Sequence, residues 1–240
     1  MPADRVYYFE TFERMKREAV ALITNLVRRA IDARAMCNLA LSGAEVPDEI
    51  YEDLGKSSTG NSPESRVNWS AVNLFLTDER IVTPGDLDSN LTMIRRTLLS
   101  NILHFSGTLN YPDLTLETPP GIATQYEELI RSCFPGNTPW PVFDAITLGL
   151  GPDGHTASLF LYETDANPSE RWVLHTSPKT AAHPRITLSY ETINAARNVI
   201  FLVRGWDRWN TVRRVIDGDP SLPASRIRPT RGQLFFLISP

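Results

Sequence analysis

The 240-residue chain has only two cysteines, Cys37 and Cys133, far apart and without CxxC or Cys/His metal spacing. That excludes a disulfide framework and a thiolate zinc site, leaving two ordinary thiols, Cys37 in a core strand and Cys133 near a turn. Lysine and arginine never form a run of five or six, and the net charge is −4 with a pI near 5.6. A nucleic-acid or anionic-membrane footprint is therefore missing, and a small anionic substrate would need a local basic cluster. The apolar stretch Val20–Val27 is interrupted by Thr24 and Asn25 and flanked by Lys16, Arg17, Arg28 and Arg29. It is too short to span a bilayer and suits an amphipathic helix. The N-terminus lacks the charged start, apolar centre and small-residue cleavage site of a signal peptide, so a cytoplasmic location is expected.

What is present is an ordinary core: 42% hydrophobic and 22% charged residues. Residues 1–240 are read as one domain, without internal repeats. Apolar segments predict strands at Cys37–Leu41, Val72–Leu76, Phe143–Leu148, Trp172–His175, Val199–Val203 and Leu234–Ile238. Helix-length segments alternate with them at Phe9–Ala30, Asp48–Leu54, Asn90–Leu103, Thr124–Cys133, Ile193–Ala196 and Trp209–Ile216. That alternation predicts an α/β fold, a doubly wound and mostly parallel sheet with helices on both faces. The polar stretches Lys56–Ser65 and Asn110–Gly121 are read as surface loops. Oligomeric state is not encoded in any obvious way, a monomer being slightly favoured.

A parallel sheet would gather four polar strand ends along one edge: Ser42-Gly43, Thr77-Asp78-Glu79-Arg80, Gly149–His155 and Ser177-Pro178-Lys179. Each alone reads as an ordinary loop, but together they supply a base, carboxylates, a guanidinium and an ammonium. Gly149, Gly151 and Gly154 fit GxGxxG between a strand and a helix expected to follow His155, the dinucleotide fingerprint. A dinucleotide site would want an acidic residue at the end of the next strand, which here ends His175-Thr176-Ser177-Pro178-Lys179, so a nicotinamide cofactor is rejected. The glycines instead let backbone approach a small ligand, and Asp153 or nearby main chain can orient the ring of His155. Histidine titrates near neutrality, at about 6.5 when unperturbed, which suits proton transfer. A helix-capping or buried structural histidine is the alternative. His104, His175 and His183 have no comparable setting.

The segment Phe143-Asp144-Ala145-Ile146-Thr147-Leu148-Gly149-Leu150-Gly151-Pro152-Asp153-Gly154-His155-Thr156-Ala157-Ser158-Leu159-Phe160 resembles the signature of the 6-phosphogluconolactonases. The resemblance extends through Phe75–Arg80, Asp88-Ser89-Asn90, Ser177-Pro178-Lys179, Arg185–Leu188 and Pro223-Ala224-Ser225, and so covers nearly the whole chain. It implies hydrolysis of 6-phospho-D-glucono-1,5-lactone to 6-phosphogluconate, a step of the oxidative pentose phosphate pathway, without metal or cofactor. The catalytic set expected is His155 as general base and acid, Arg80 or Lys179 to offset charge on the oxyanion or hold the phosphate, and Asp78 to orient sugar hydroxyls or the imidazole. The implied substrate contacts are Ser42, Gly43, Gly151, Asp153, Gly154, Lys179 and Arg208. Asn90 is assigned to loop ordering. Glucosamine-6-phosphate deaminases share the Gly-x-Asp-Gly-His segment but usually continue differently from Thr156–Phe160, which makes deaminase chemistry a further alternative.

The first loop departs from the family pattern of Ser-Gly-Gly-x-Thr/Ser-Pro. Here Ala44 replaces the second glycine, Val46 replaces the hydroxyl, and Glu45, Asp48 and Glu49 crowd a helix start that should accept an anion. Arg208 stands where relatives commonly carry lysine. Two readings follow. Either phosphate binding is weakened, giving a catalytically weak or substrate-altered relative, or the acids complement the helix dipole while Arg80, Lys179 or Arg208 carries the phosphate.

Overall fold

The structure, a computed structural model, describes residues 5–43, 45–57, 66–136, 138–161, 170–179 and 182–240. Its main sheet contains β1 (Arg5–Tyr8), β2 (Cys37–Leu41), β3 (Val72–Leu76), β5 (Thr108–Asn110), β6 (Ala145–Leu148), β9 (Asn198–Arg204) and β10 (Gln233–Ser239). They run in the order β1-β10-β9-β6-β2-β3-β5, and every pairing is parallel. Because side chains alternate across a strand, each strand feeds two cores. Leu39, Leu41, Leu74, Leu76, Ile200, Leu202, Phe235 and Leu237 face one side. Ala40, Phe75, Val199, Phe201, Leu234 and Phe236 face the other. Near-continuous apolar strands buried on both faces are what a doubly wound parallel sheet requires.

The first face is covered by α1 (Phe12–Arg34), α2 (Glu45–Ser57) and α3 (Asn90–Thr97). In α1 the buried positions Phe12, Met15, Ala19, Ile23, Val27 and Ala30 recur every three or four residues, forming one apolar stripe. The helix starts at a Thr11 cap whose hydroxyl accepts from Arg14 N at 3.3 Å, and stops at Ala35 in the left-handed region, φ 62°. It thus extends past the expected end at Ala30. The second face is covered by α4 (Pro119–Cys133), α5 (Tyr190–Asn194) and α6 (Trp209–Ile216). There α4 begins inside the expected loop, because Thr118 caps it and Pro119 fits the first helical position.

The expected strand at Trp172–His175 is corrected in its partners. Observed as β7 (Val173–Thr176), it joins β4 (Asp78–Arg80) and β8 (Arg185–Leu188) in a separate antiparallel sheet, ordered β4-β8-β7. β4 was invisible to apolar patterning because its three residues are all charged, although Asp78 and Glu79 are buried. The long expected helix Asn90–Leu103 ends at Thr97 and continues only as a 3₁₀ turn over Leu99–Asn101. The helix expected after His155 is absent through residue 161, where the chain makes a turn bridging Thr156 and Leu159. Of the expected loop Lys56–Ser65, residues 58–65 lie outside the described residues. No helix among the described residues is long and apolar enough to cross a membrane.

Candidate active site

From β2 the chain winds outward to β3 and β5, and from β6 it winds the other way to β9 and β10, yet β2 and β6 are neighbours. Such a reversal opens a crevice beyond the carboxyl ends of the two strands. Ser42-Gly43 follows β2 and Gly149–His155 follows β6. A cavity of about 240 Å³ lies there, lined by Ser42, Gly43, Asp78, Arg80, Asn90, Arg185, Arg208 and the segments 149–152 and 155–157. It is smaller than the ~300–1,000 Å³ of drug-sized ligand sites and suits a small polar molecule. Larger grooves of about 490 and 580 Å³ run along α1, but no histidine lines either.

The Gly149–His155 loop is closed by backbone bonds from Gly151 N to His155 O (2.8 Å) and from Gly154 N to Gly151 O (3.0 Å). Gly154 has φ +80°, and a Cβ on Gly151 would sit 2.2 Å from His155 Nδ1. A side chain on Gly151 would displace the ring, and one on Gly154 would be strained at that φ and would run into Leu222. Asp153 folds back so that its Oδ1 accepts from His155 N (3.2 Å) and meets Nδ1 at 2.5 Å. Partial burial opposes its ionisation, but the positive charge of His155 and hydrogen bonds from it outweigh that and hold the Asp153 carboxyl below the usual range. An ionised carboxylate only accepts, so the nitrogen facing it, Nδ1, is the one that carries a proton, and in the neutral imidazole the lone pair is then on Nε2. Phe160 stacks on the imidazole at 4.6 Å between centroids.

On the opposite wall, Asp78 is buried; it accepts from Ser158 Oγ at 2.7 Å and from Asn90 Nδ2 at 3.3 Å. Asn90 Nδ2 also reaches Asp78 O (2.7 Å), and Asn90 Oδ1 accepts from Arg80. Asn90 is held in turn by Glu79, whose buried carboxylate accepts from the backbone N–H groups of Asn90 (2.7 Å) and Leu91 (2.8 Å) at the start of α3. Burial raises the Glu79 pKa, with these amides acting in the opposite sense. The packing is close enough that a Cβ on Gly43 would lie 1.7 Å from Asn90 Oδ1. Asn90 therefore ties the first and second strand-end loops together.

Ser42 Oγ is buried and makes no hydrogen bond to any described residue, while Ser42 O is fixed by Tyr51 OH at 3.0 Å. A buried hydroxyl without a partner at a cavity wall is placed for a ligand. Arg208 donates to Leu150 O at 2.5 Å. Across β4 and β8, Arg80 stands directly opposite Arg185. Three guanidinium groups thus line the cavity against one buried carboxylate, Asp78, forming the local basic cluster that an acidic chain needs for an anionic ligand. Among the described residues no group of three or more His, Cys, Asp or Glu is arranged to hold a metal.

The family model for "Glucosamine-6-phosphate isomerases/6-phosphogluconolactonase" matches residues 10–236. The chain belongs to this family. A 6-phosphogluconolactonase of Synechocystis is 30% identical over 223 residues, 92% of this chain and 89% of that protein. One from Bos taurus is 32% identical over 213 residues, 86% and 80% of the respective chains. The crystal structure of 6-phosphogluconolactonase from Thermotoga maritima superposes with a TM-score of 0.82 at 28% identity, covering 99% of this chain and 100% of that one.

In this family member the structure brings Ser42, Gly43, Asp78, Arg80, Gly151, His155 and Arg208 to one cavity, out of the residues named from sequence. Asp153 lies behind the imidazole and Gly154 packs against Leu222, so both shape the loop without lining the cavity. Lys179 is exposed and lies outside the lining. The expectation that a parallel sheet would bring its loop to the same edge is corrected, because β7 belongs to the antiparallel sheet. Asn90, assigned to ordering, also lines the cavity. Arg185 was missed as a site residue; the signal available was the polar/apolar alternation of Arg185-Ile186-Thr187-Leu188, which marks a half-exposed strand.

At the start of α2, Ala44 and the side chain of Glu45 lie outside the described residues. Val46 packs against the α1-side core. Asp48 pairs with Arg96 (2.8 Å) and Glu49 with Arg204 (3.1 Å). Both of those acids are matched by cations on neighbouring elements.

Proposed function

We propose that this chain hydrolyses 6-phospho-D-glucono-1,5-lactone to 6-phosphogluconate, acting as one domain over residues 1–240 in the cytoplasm. The observation that carries the reading is the Asp153–His155 pair on the wall of an arginine-lined cavity at the sheet's switch point. With Nδ1 engaged by Asp153, Nε2 takes a proton from water as the oxygen adds to the lactone carbonyl carbon. Charge collects on the carbonyl oxygen, which Arg80 offsets. As the carbonyl re-forms, the bond to the ring oxygen breaks, and His155 returns the proton there. One water is consumed and the free acid ionises at neutral pH. Asp78, its carboxylate fixed by Ser158 and Asn90, orients a sugar hydroxyl.

Ser42, Gly43 and Arg208 hold the phosphate at the start of α2. The pairing of Asp48 with Arg96 and of Glu49 with Arg204 supports this assignment over loss of the phosphate site, since both carboxylates are drawn to outside partners. The test is hydrolysis of freshly generated lactone against the spontaneous rate, with His155→Ala beside the unaltered chain. Activity well above background that disappears in the variant is expected; an unchanged rate would reject His155. Ammonia release from glucosamine 6-phosphate would replace the lactonase reading with deaminase chemistry.

A further inference from the structure

Arg185 lines the cavity yet has no part in the mechanism above. Its position is unfavourable by itself. β8 sets it directly across from Arg80, and like charges facing one another on paired strands destabilise the pair. Burial lowers its guanidinium pKa; Asp78 works against that fall and Arg80 adds to it. Its Nε is buried and donates to no described residue. An orphaned donor and a desolvated charge persist in a fold where a ligand supplies the missing acceptor.

Its neighbours say which part of the ligand that is. The Arg185 guanidinium carbon lies 5.8 Å from the centroid of Phe160, the same ring that stacks on His155 at 4.6 Å. Arg185 and the proton-transfer group thus share one aromatic neighbour, which places Arg185 toward the reacting end of the cavity. Ser42 and Arg208 instead belong to the ends of β2 and β9.

We propose that Arg185 is a catalytic residue that donates to the lactone carbonyl oxygen as it becomes the tetrahedral oxyanion, and then to the carboxylate of the product. The proposal rests on the lactonase reading and deepens it. When water adds to the carbonyl carbon, the carbonyl π pair moves onto the oxygen facing Arg185, while the water proton passes to His155. Collapse re-forms the double bond, breaks the bond to the ring oxygen and returns the proton to that oxygen. Arg185 transfers no proton and stabilises charge only. The cavity then has a guanidinium for each end of a product that carries one anionic group at either end.

The test compares two ligands with the same phosphate, 6-phosphogluconate and glucitol 6-phosphate, which lacks the carboxylate. Calorimetry on the unaltered chain should show tighter binding of 6-phosphogluconate by roughly tenfold or more. Arg185→Gln should erase that preference by weakening 6-phosphogluconate alone, and Arg185→Lys should keep part of it. In turnover, Arg185→Gln should lower kcat about 100-fold with KM near its starting value. Its Tm should not fall, because a desolvated like charge has been removed. Equal weakening of both ligands would place Arg185 on the phosphate and overturn the proposal. Unchanged affinity for both, or a variant that no longer folds, would make Arg185 structural and overturn it too. An unaltered chain that binds neither ligand and hydrolyses no lactone would reject the lactonase reading, and this proposal with it.

Discussion

Replacing Gly43 by alanine adds one methyl group, and the structure gives the consequence in ångströms. The new Cβ would stand 1.7 Å from Asn90 Oδ1 and 2.2 Å from Asn90 Cγ, inside any van der Waals contact. Asn90 cannot withdraw with its helix, because its backbone N–H is bonded to the buried Glu79 carboxylate at 2.7 Å. Its side chain must rotate, giving up the bonds to Arg80 and to Asp78 O. Overpacking costs roughly 1–3 kcal/mol, and polar groups left unsatisfied in a buried site cost roughly 1–3 kcal/mol. Their combined effect is taken as about 2–4 kcal/mol, because the two overlap at one residue. For a chain of this length that lowers Tm by roughly 5–15 °C, measured by thermal denaturation. Activity should fall further, by about 100-fold or more in kcat/KM, since Arg80 loses its positioning partner. The control is the double variant Gly43→Ala with Asn90→Ala, which removes the obstructing amide. It should regain much of the lost Tm without regaining activity. A Gly43→Ala chain with unchanged Tm and kcat/KM would refute the steric argument, and a double variant no more stable than the single one would show that the clash is not with Asn90.

Asp153→Asn keeps the shape of the loop but removes the carboxylate that holds the proton on Nδ1. Because Asp153 is half exposed, the loss in kcat is expected to be about 10²-fold, short of the ~10⁴-fold seen when a buried triad carboxylate is neutralised. A pH–rate profile that keeps its shape and height would contradict the orienting role. Glu127 is buried and accepts from Arg131 (2.9 Å), Arg171 (2.8 Å) and the Trp172 amide (3.1 Å). Burial opposes its ionised form, but the two arginines and the amides lower its pKa. A depressed folded-state pKa stabilises the protein above the unfolded value, about 4.3, and that stability disappears as pH falls through the folded value. Glu127→Gln should therefore cost about 2 kcal/mol at pH 7, discounted for the exposure of both arginines, and progressively less below pH ~4, as read from urea titrations at the two pH values. Arg208→Ala should raise KM at least tenfold, roughly the loss of one charge-assisted hydrogen bond, while Lys179→Ala should leave KM near its starting value. The reverse order in steady-state kinetics would move the phosphate to Lys179.

Much of the architecture was legible in the sequence because its cause is local. The strands Cys37–Leu41 and Val72–Leu76 appear as apolar runs since both faces of the sheet are covered. Trp209–Ile216 was found with the bounds the structure shows, since its apolar residues follow the helical repeat. β4 was not found because Asp78, Glu79 and Arg80 are charged; their burial depends on partners from α3 and β8. The helix expected after His155 failed because Ser158 and Leu159 are drawn into a turn, with Ser158 Oγ bonded to Asp78.

By itself the sequence determined the doubly wound class, the glycine loop around His155 and the residues able to move a proton, since these follow from periodicity, from φ and from side-chain chemistry. Only the tertiary structure decided which charges meet. It moved Lys179 off the parallel edge by placing β7 in the antiparallel sheet, and it matched Asp48 and Glu49 to Arg96 and Arg204. It also set Arg185 across from Arg80. Electrostatic energy depends on distance and burial, and for residues far apart in the chain both are fixed by strand register and packing rather than by local propensity.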